Sequence, residues 1–483
     1  MNSNLIRSSP GNGWSRRQFL GSLTKGAAGA TAYAAFGAPR VKPASVTTTF
    51  SVGYPIAELL TQPGATGCAI NFDGEPSIHV SADNLVLLGS ERGLGGGSDV
   101  WRGVGQVGGT GAAACALEYR GQPNAVADVG ASGGDIDLAI ASARNALGNY
   151  NLYVASLNLG SVAVANSPDN GNTWSNVPVQ GGLPGDDREW IAAYGASTSL
   201  LSFHDIATFN INVLRSDDGS LTYAQIAQVL SPLDYRTGAN QHGNIVIDRR
   251  NTAGTAPNAA GLPSFWAYTG FVAPSTATGQ NFNEFFVGVS NDGGFTWNVF
   301  PIPCSVSNRD LAHEFPILSV APNGTLWAAW SDGANVFTAV SGDHGQTWNC
   351  SSRVSTNTVQ ALMPWLVATS AGIDLVYYGT TTTGSSQVWF VYFVQNLLST
   401  VTGWGTPLPL IPVHQGPVCE GGFLCSGNRQ LLDDFGIDTD QLGWAHIGFS
   451  HDAASDGSPQ LGGPYTTTGY AVQTSGAQVG LPN

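Results

Sequence analysis

The octapeptide Ser-x-Asp-x-Gly-x-Thr-Trp occurs three times, as SPDNGNTW at 167–174, SNDGGFTW at 290–297 and SGDHGQTW at 341–348. A fourth, worn copy at 216–223 carries Ser220 in place of the glycine and Tyr223 in place of the tryptophan. Five fixed positions that recur in a chain of ordinary complexity mark a repeat protein, a stronger constraint on the fold than composition. Each copy reads as a tight turn with an anchor. Asp169, Asp292 and Asp343 can accept hydrogen bonds from turn amides, Gly171, Gly294 and Gly345 can supply a positive φ, and the threonine opens a strand. Burying Trp174, Trp297 or Trp348 between neighbouring sheets would stabilise each unit by about 1.5–3 kcal/mol.

The copies start 49, 74 and 51 residues apart, a period near 50 with one insertion. Residues 251–280, rich in Thr, Ala, Pro and Gly around a strand-like FWAYTGF at 265–271, account for the insertion. A period of this length built from short strands predicts one four-stranded sheet per repeat, the plan of a β-propeller. The octapeptide resembles the Asp box, or BNR repeat, of the sialidase-like propellers. That resemblance implies an all-β ring in which the boxes lie between the third and fourth strands of a blade, away from the substrate face.

A second repeat marks the innermost strands. NRDLAHEFPI at 308–317 and NRQLLDDFGI at 428–437 share Asn, Arg, Leu, Phe and Ile at an offset of 120, with Glu314 answered by Asp434. Five weaker strand openings read GEPSIHV from 74, GDIDLAI from 134, DREWIAA from 187, QHGNIVI from 241 and MPWLVAT from 363. Seven openings favour seven blades, or six if the first and last share a sheet. Pairing the chain's two ends would close the ring and remove its exposed edges.

The N-terminus addresses compartment. Ser15-Arg16-Arg17-Gln18-Phe19-Leu20, a mild Gly/Ala-rich apolar stretch and the Ala32-Tyr33-Ala34 triplet resemble a bacterial twin-arginine export signal. The expected organisation is therefore a signal and linker at 1–44 and one propeller domain at 45–483, secreted or periplasmic. The apolar stretch is too short to hold a membrane. Six cysteines favour disulfides in an exported chain. Cys419 with Cys425 can staple one loop, and order suggests Cys68 with Cys115 and Cys304 with Cys350.

Residues 1–44 hold six basic residues and no acids, which leaves 12 of the 18 basic residues, all arginines, against 33 acidic ones, a net charge near −21. Such a surface disfavours nucleic acid and anionic lipid. No metal ion or other cofactor is expected, and the chain is expected to act as a monomer on a glycan or glycoconjugate.

A sialidase-like activity implies arginines that grip a substrate carboxylate, a tyrosine nucleophile activated by an acid, and a carboxylic acid that protonates the leaving oxygen. Arg188, Arg309 and Arg429 stand at strand openings, with Glu189, Glu314 and Asp434 as companion carboxylates and Tyr377 as the leading tyrosine, beside Tyr378 and Tyr235. Such repeated arginine and acid pairs can equally tie adjacent blades together. His242 and His313 lie beside strand openings, and Asp135 and Asp137 share a strand face. The Phe/Tyr-Arg-Ile-Pro motif of typical sialidases is absent, with Glu75 near the place of its arginine. The expectation is an exported glycoside hydrolase acting on terminal sugars, an exo-sialidase or a related exo-glycosidase. The alternative is a non-catalytic propeller that binds glycan or protein through its central face.

Overall fold

A computed structural model describes residues 47–480 apart from 58–63, 94, 126–132, 159–160, 180–185, 206–207, 251–256, 258–259 and 352. The expected export signal at 1–44 lies outside the described residues. The fold is an all-β, seven-bladed propeller made of seven four-stranded antiparallel sheets. Its innermost strands are Gly74–Val80, Ile136–Arg144, Asp186–Tyr194, Gln241–Ile247, Ile317–Val320, Gln360–Ala368 and Gly436–Thr439. Each of the seven strand openings read from the sequence thus starts its own sheet, and the six-blade alternative is corrected. The last sheet is completed instead by Thr49–Gly53, which pairs with Tyr465–Ser475 and joins the chain's two ends.

The repeated octapeptide forms the turn between third and fourth strands in blades two to five. In the copy at 341–348, Asp343 accepts hydrogen bonds from Ser341 Oγ, Thr347 N and Thr347 Oγ1 at 2.8, 2.9 and 2.6 Å. Ser167, Ser216, Ser290 and Ser341 each accept the amide of the residue four positions on. The worn copy keeps this geometry with Ser220 at φ 64. Trp174, Tyr223, Trp297 and Trp348 pack against the apolar clusters between blades.

Cys68–Cys115, Cys304–Cys350 and Cys419–Cys425 form the three disulfides. They fit an oxidising, extracellular setting. No described helix is long and apolar enough to cross a membrane.

One irregularity positions the functional face. In blades one, three, four and six the inner strand carries one extra residue relative to its partner, after Gly74, Asp187, His242 and Leu362. The residue that follows is left-handed in three of them, Glu75 at φ 51, Arg188 at φ 58 and Met363 at φ 51. A bulge of this kind bends the strand and re-aims its side chain. Non-glycine residues adopt that conformation only where surrounding contacts hold them there.

Candidate functional site

Arg188 stands at the centre of the inner-strand openings. Its Nη1 lies 3.1 Å from Asp135 Oδ1 and 4.0 Å from Glu75 Oε2, and its Nη2 pairs directly with Asp433. Arg429 Nη2 lies 2.6 Å from Asp433 Oδ2 and 3.8 Å from Glu75 Oε1. An aromatic cluster packs against Arg188 of this pair. The Arg188 guanidinium lies 4.2 Å above the Phe315 ring, and Trp190 packs on both Phe315 and Trp365.

Eight carboxyl groups interact with these two arginines or with one another: Glu75, Glu91, Asp135, Asp187, Glu189, Glu314, Asp433 and Asp434. Burial, followed by the charge of Asp433 or Asp135, pushes Glu75, Glu189 and Glu314 well above the usual carboxylate range. Burial raises Asp434 as well, against the opposing pull of Arg188. Glu91 is pushed up to about 8 by burial even though the Gly93 amide donates to it. Asp187 keeps solvent contact at the rim, and partial loss of water, followed by the Asp135 charge, raises it to about 6. Gln241 Nε2 donates to Glu314 Oε2 at 2.7 Å. Both carboxyl oxygens of Glu75 and of Glu189, and Oδ1 of Asp433, are buried without a hydrogen-bond partner. A buried acceptor left in this state is costly unless the group is protonated or a ligand donates to it.

Of the candidates named from the sequence, Arg188, Glu189, Glu314, Arg429 and Asp434 meet here. Arg309 does not. Its side chain is 54% exposed and its nearest carboxylate is Asp332 at 3.9 Å. Tyr377 is fully buried in its blade and stacked on Tyr392 with ring centroids 5.2 Å apart. Tyr378 is also buried, stacked on Phe435 and accepting the Ser450 amide at 2.8 Å. Tyr235 donates to the Pro274 carbonyl away from the cluster. His242 is buried against Thr269 Oγ1 at 2.9 Å, and burial holds it well below the usual histidine range. Asp137 takes the Ile191 amide and the Ser77 hydroxyl, a bridge between neighbouring blades.

The central partners are Glu75, which the sequence marked only as standing near the place of the absent motif's arginine, and Asp433, which it did not single out. The 120-residue offset aligns Asp434 with Glu314 and leaves Asp433 opposite His313, so the repeat draws attention to the wrong member of the Asp433-Asp434 doublet. Glu75, Asp135 and Asp433 each bring one oxygen within 4.8 Å of the others, a spacing able to hold a cation. The Arg188 guanidinium already supplies positive charge among them.

No family model matches the chain, and no curated protein matches it. Among solved structures it is similar to an α-L-arabinofuranosidase of Fusarium graminearum, at 10% identity over 89% of this chain and 97% of that one, with a TM-score of 0.40. It is similar to a GH74 xyloglucanase of Xanthomonas campestris, at 14% identity over 85% of this chain and 55% of that one, with a TM-score of 0.45. It is also similar to an intramolecular trans-sialidase of Ruminococcus gnavus, at 11% identity over 81% and 92%, with a TM-score of 0.37.

Proposed function

We propose that the chain is an exported glycoside hydrolase that removes terminal sugars from glycans, a related exo-glycosidase rather than an exo-sialidase. The observation that carries this reading is the pairing of a buried, raised carboxyl group, Glu75, with Asp433, a carboxylate held by two arginines. Glycoside hydrolysis needs two such groups in different protonation states. Glu75 is suited to protonate the leaving oxygen, and Asp433 to attack the anomeric carbon. Water then releases the sugar from Asp433 as Glu75 takes the water's proton. Their separation, below 4.8 Å between nearest oxygens, is closer to the about 5–5.5 Å of retaining enzymes than to the wider inverting spacing.

Charge argues against sialic acid. Arg188 and Arg429 are engaged by the protein's own carboxylates, and Arg309 lies outside the cluster, so among the described residues no free trio of guanidinium groups at the cluster waits for an anionic sugar. Tyr377 is buried in a blade, which removes the expected nucleophile. The unpartnered oxygens of Glu75 and Asp433 instead suit the hydroxyl donors of a neutral sugar.

The test is turnover of neutral aryl glycosides and α-sialosides from about pH 3 to 8, with Glu75→Gln and Asp433→Asn. A loss of about 10²–10⁴-fold in each folded variant is expected. Wild-type activity in both variants, or preference for sialosides, would overturn the assignment. The second reading, a recognition propeller, is favoured by one feature: the void bounded by Phe315, Met363, Trp365, Asp433 and Asp434 is too narrow for a water molecule. Glycan binding without turnover on any substrate would select it.

A further inference from the structure

Beside the carboxyl cluster lies a second cavity of about 300 Å³, at the lower end of the about 300–1,000 Å³ of small-molecule sites. Its wall combines His313, Glu420, Gln360 and Gln387 with the apolar Leu362 and Trp389. His313 Nδ1 lies 3.0 Å from Glu420 Oε2, so the charged members of the wall answer each other. A phosphate or an acidic sugar would find no uncompensated cation there. Alternating donors, acceptors and apolar surface without net charge match a neutral saccharide.

The wall is held in place before any ligand arrives. Glu420 sits in the short loop closed by Cys419–Cys425. Gln387 Nε2 and Trp389 Nε1 both donate to the Gly416 carbonyl, at 3.1 and 2.9 Å. Gly333, at φ 80, leaves room for the imidazole, since a Cβ there would stand 2.9 Å from His313 Nε2. With Nδ1 committed to Glu420, Nε2 is the other polar atom the ring can offer. Burial works against protonation of His313, but the Glu420 carboxylate outweighs it and holds the imidazole above its usual range. In the protonated ring Nε2 is a donor.

The cavity is tied to the cluster through the chain itself. His313 precedes Glu314, and Leu362 precedes the left-handed Met363. The Glu420 charge acts on Glu314. The Cys419 amide donates to the Asn428 carbonyl at 2.8 Å, linking the residue before Glu420 to the residue before Arg429.

We infer that this cavity, walled by the His313 and Glu420 pair and by Gln387, is a binding subsite for a second, neutral sugar unit on the leaving-group side of the bond cleaved at the carboxyl cluster. The leaving-group assignment rests on the hydrolase reading, whereas the binding of a neutral sugar does not. The chain therefore prefers a neutral disaccharide over the aryl glycoside of the same terminal sugar.

The experiment compares cellobiose, lactose, maltose and xylobiose with their aryl monoglycosides, using wild type, Glu420→Gln and Gln387→Ala. Direct binding of the same disaccharides is read by saturation-transfer NMR on Asp433→Asn, alone and combined with each substitution, and thermal melting checks the fold. The expected result is a roughly tenfold fall, in both variants, in the ratio of disaccharide to aryl-glycoside kcat/KM, with weakened disaccharide binding. Turnover with an unchanged ratio and unchanged binding would overturn the subsite and leave the hydrolase standing. Disaccharide binding that the substitutions abolish, without turnover by wild type, would support the subsite and overturn the hydrolase. Neither turnover nor binding would overturn both.

Discussion

Arg188 and Asp433 form a direct ion pair between the inner-strand openings of the third and seventh blades, although 245 residues separate them in the chain. Arg188 is left-handed at a strand bulge, and Asp433 follows a second left-handed residue, Leu432. Two locally unfavourable backbones thus meet in one favourable contact, which also gathers Asp135, Glu75 and Arg429.

Removing the hub should expose its electrostatic role. Arg188→Ala leaves Glu75, Asp135 and Asp433 buried with less compensation, a loss of about 3–5 kcal/mol when one partner of a buried pair is deleted. Protonation relieves that repulsion in acid. Urea unfolding at pH 5 and pH 8 should therefore show a larger loss at pH 8, and equal losses would contradict this account.

Stability should fall as pH rises from acid to alkaline. Burial raises Asp137 to about 6, and Glu91 and Asp374 to about 8. Between about pH 4, where unfolded carboxyls ionise, and these values the folded chain keeps protons that the unfolded chain has lost. Their contribution is complete below about pH 4 and is lost as pH climbs through 6 and 8. The turn aspartates Asp169, Asp218 and Asp343 act oppositely. Despite partial desolvation, their hydrogen bonds hold them below the usual range, and their contribution is lost in stronger acid. The melting temperature should peak near pH 4–5 and decline through pH 9, and a maximum at or above neutrality would refute the linkage.

The turn octapeptide should be sensitive at its aspartate and its glycine. Asp343→Ala deletes the acceptor of three hydrogen bonds and should cost about 1–2 kcal/mol. Gly345→Ala forces a side chain into φ 80, with its Cβ 3.3 Å from Val289 Cγ2, at a similar cost of about 1–2 kcal/mol. Neither substitution should alter glycoside turnover below the melting transition.

The disulfides should contribute unequally. Cys68–Cys115 spans 47 residues and Cys419–Cys425 only 6, so chain entropy gives about 4 and about 2 kcal/mol respectively. The longer bridge also packs against the closing strand, where a Cβ on Gly53 would stand 2.5 Å from Cys68 Sγ. Cys68→Ser with Cys115→Ser should lower stability more than Cys419→Ser with Cys425→Ser, as read by chemical denaturation.

Tyr377→Phe should retain glycoside turnover, because its ring is enclosed in a blade against Tyr392. Loss of turnover with an unchanged melting temperature would return tyrosine to the mechanism.

The four-stranded plan of the blades was legible in the sequence, which favoured seven blades over six, and the place of the octapeptide between third and fourth strands was implied by the resemblance it carries. Each depends on chemistry that is local and repeated, such as Asp343 reaching Thr347 four residues away. The pairing of Cys419 with Cys425 was legible for the same reason of proximity. The composition of the site was legible only in part. Arg309 and Arg429 stand in the same motif, yet one is exposed and the other joins the cluster. Asn428 and Leu432 are left-handed, whereas their repeat counterparts Asn308 and Ala312 are not among the positive-φ residues. Local sequence determined that this chain builds a ring of similar four-stranded sheets. Which carboxyls face which arginines was decided by ring closure, because Glu75, Asp135, Arg188, Glu314 and Asp433 come from five blades whose side chains meet only when every inner strand is in place.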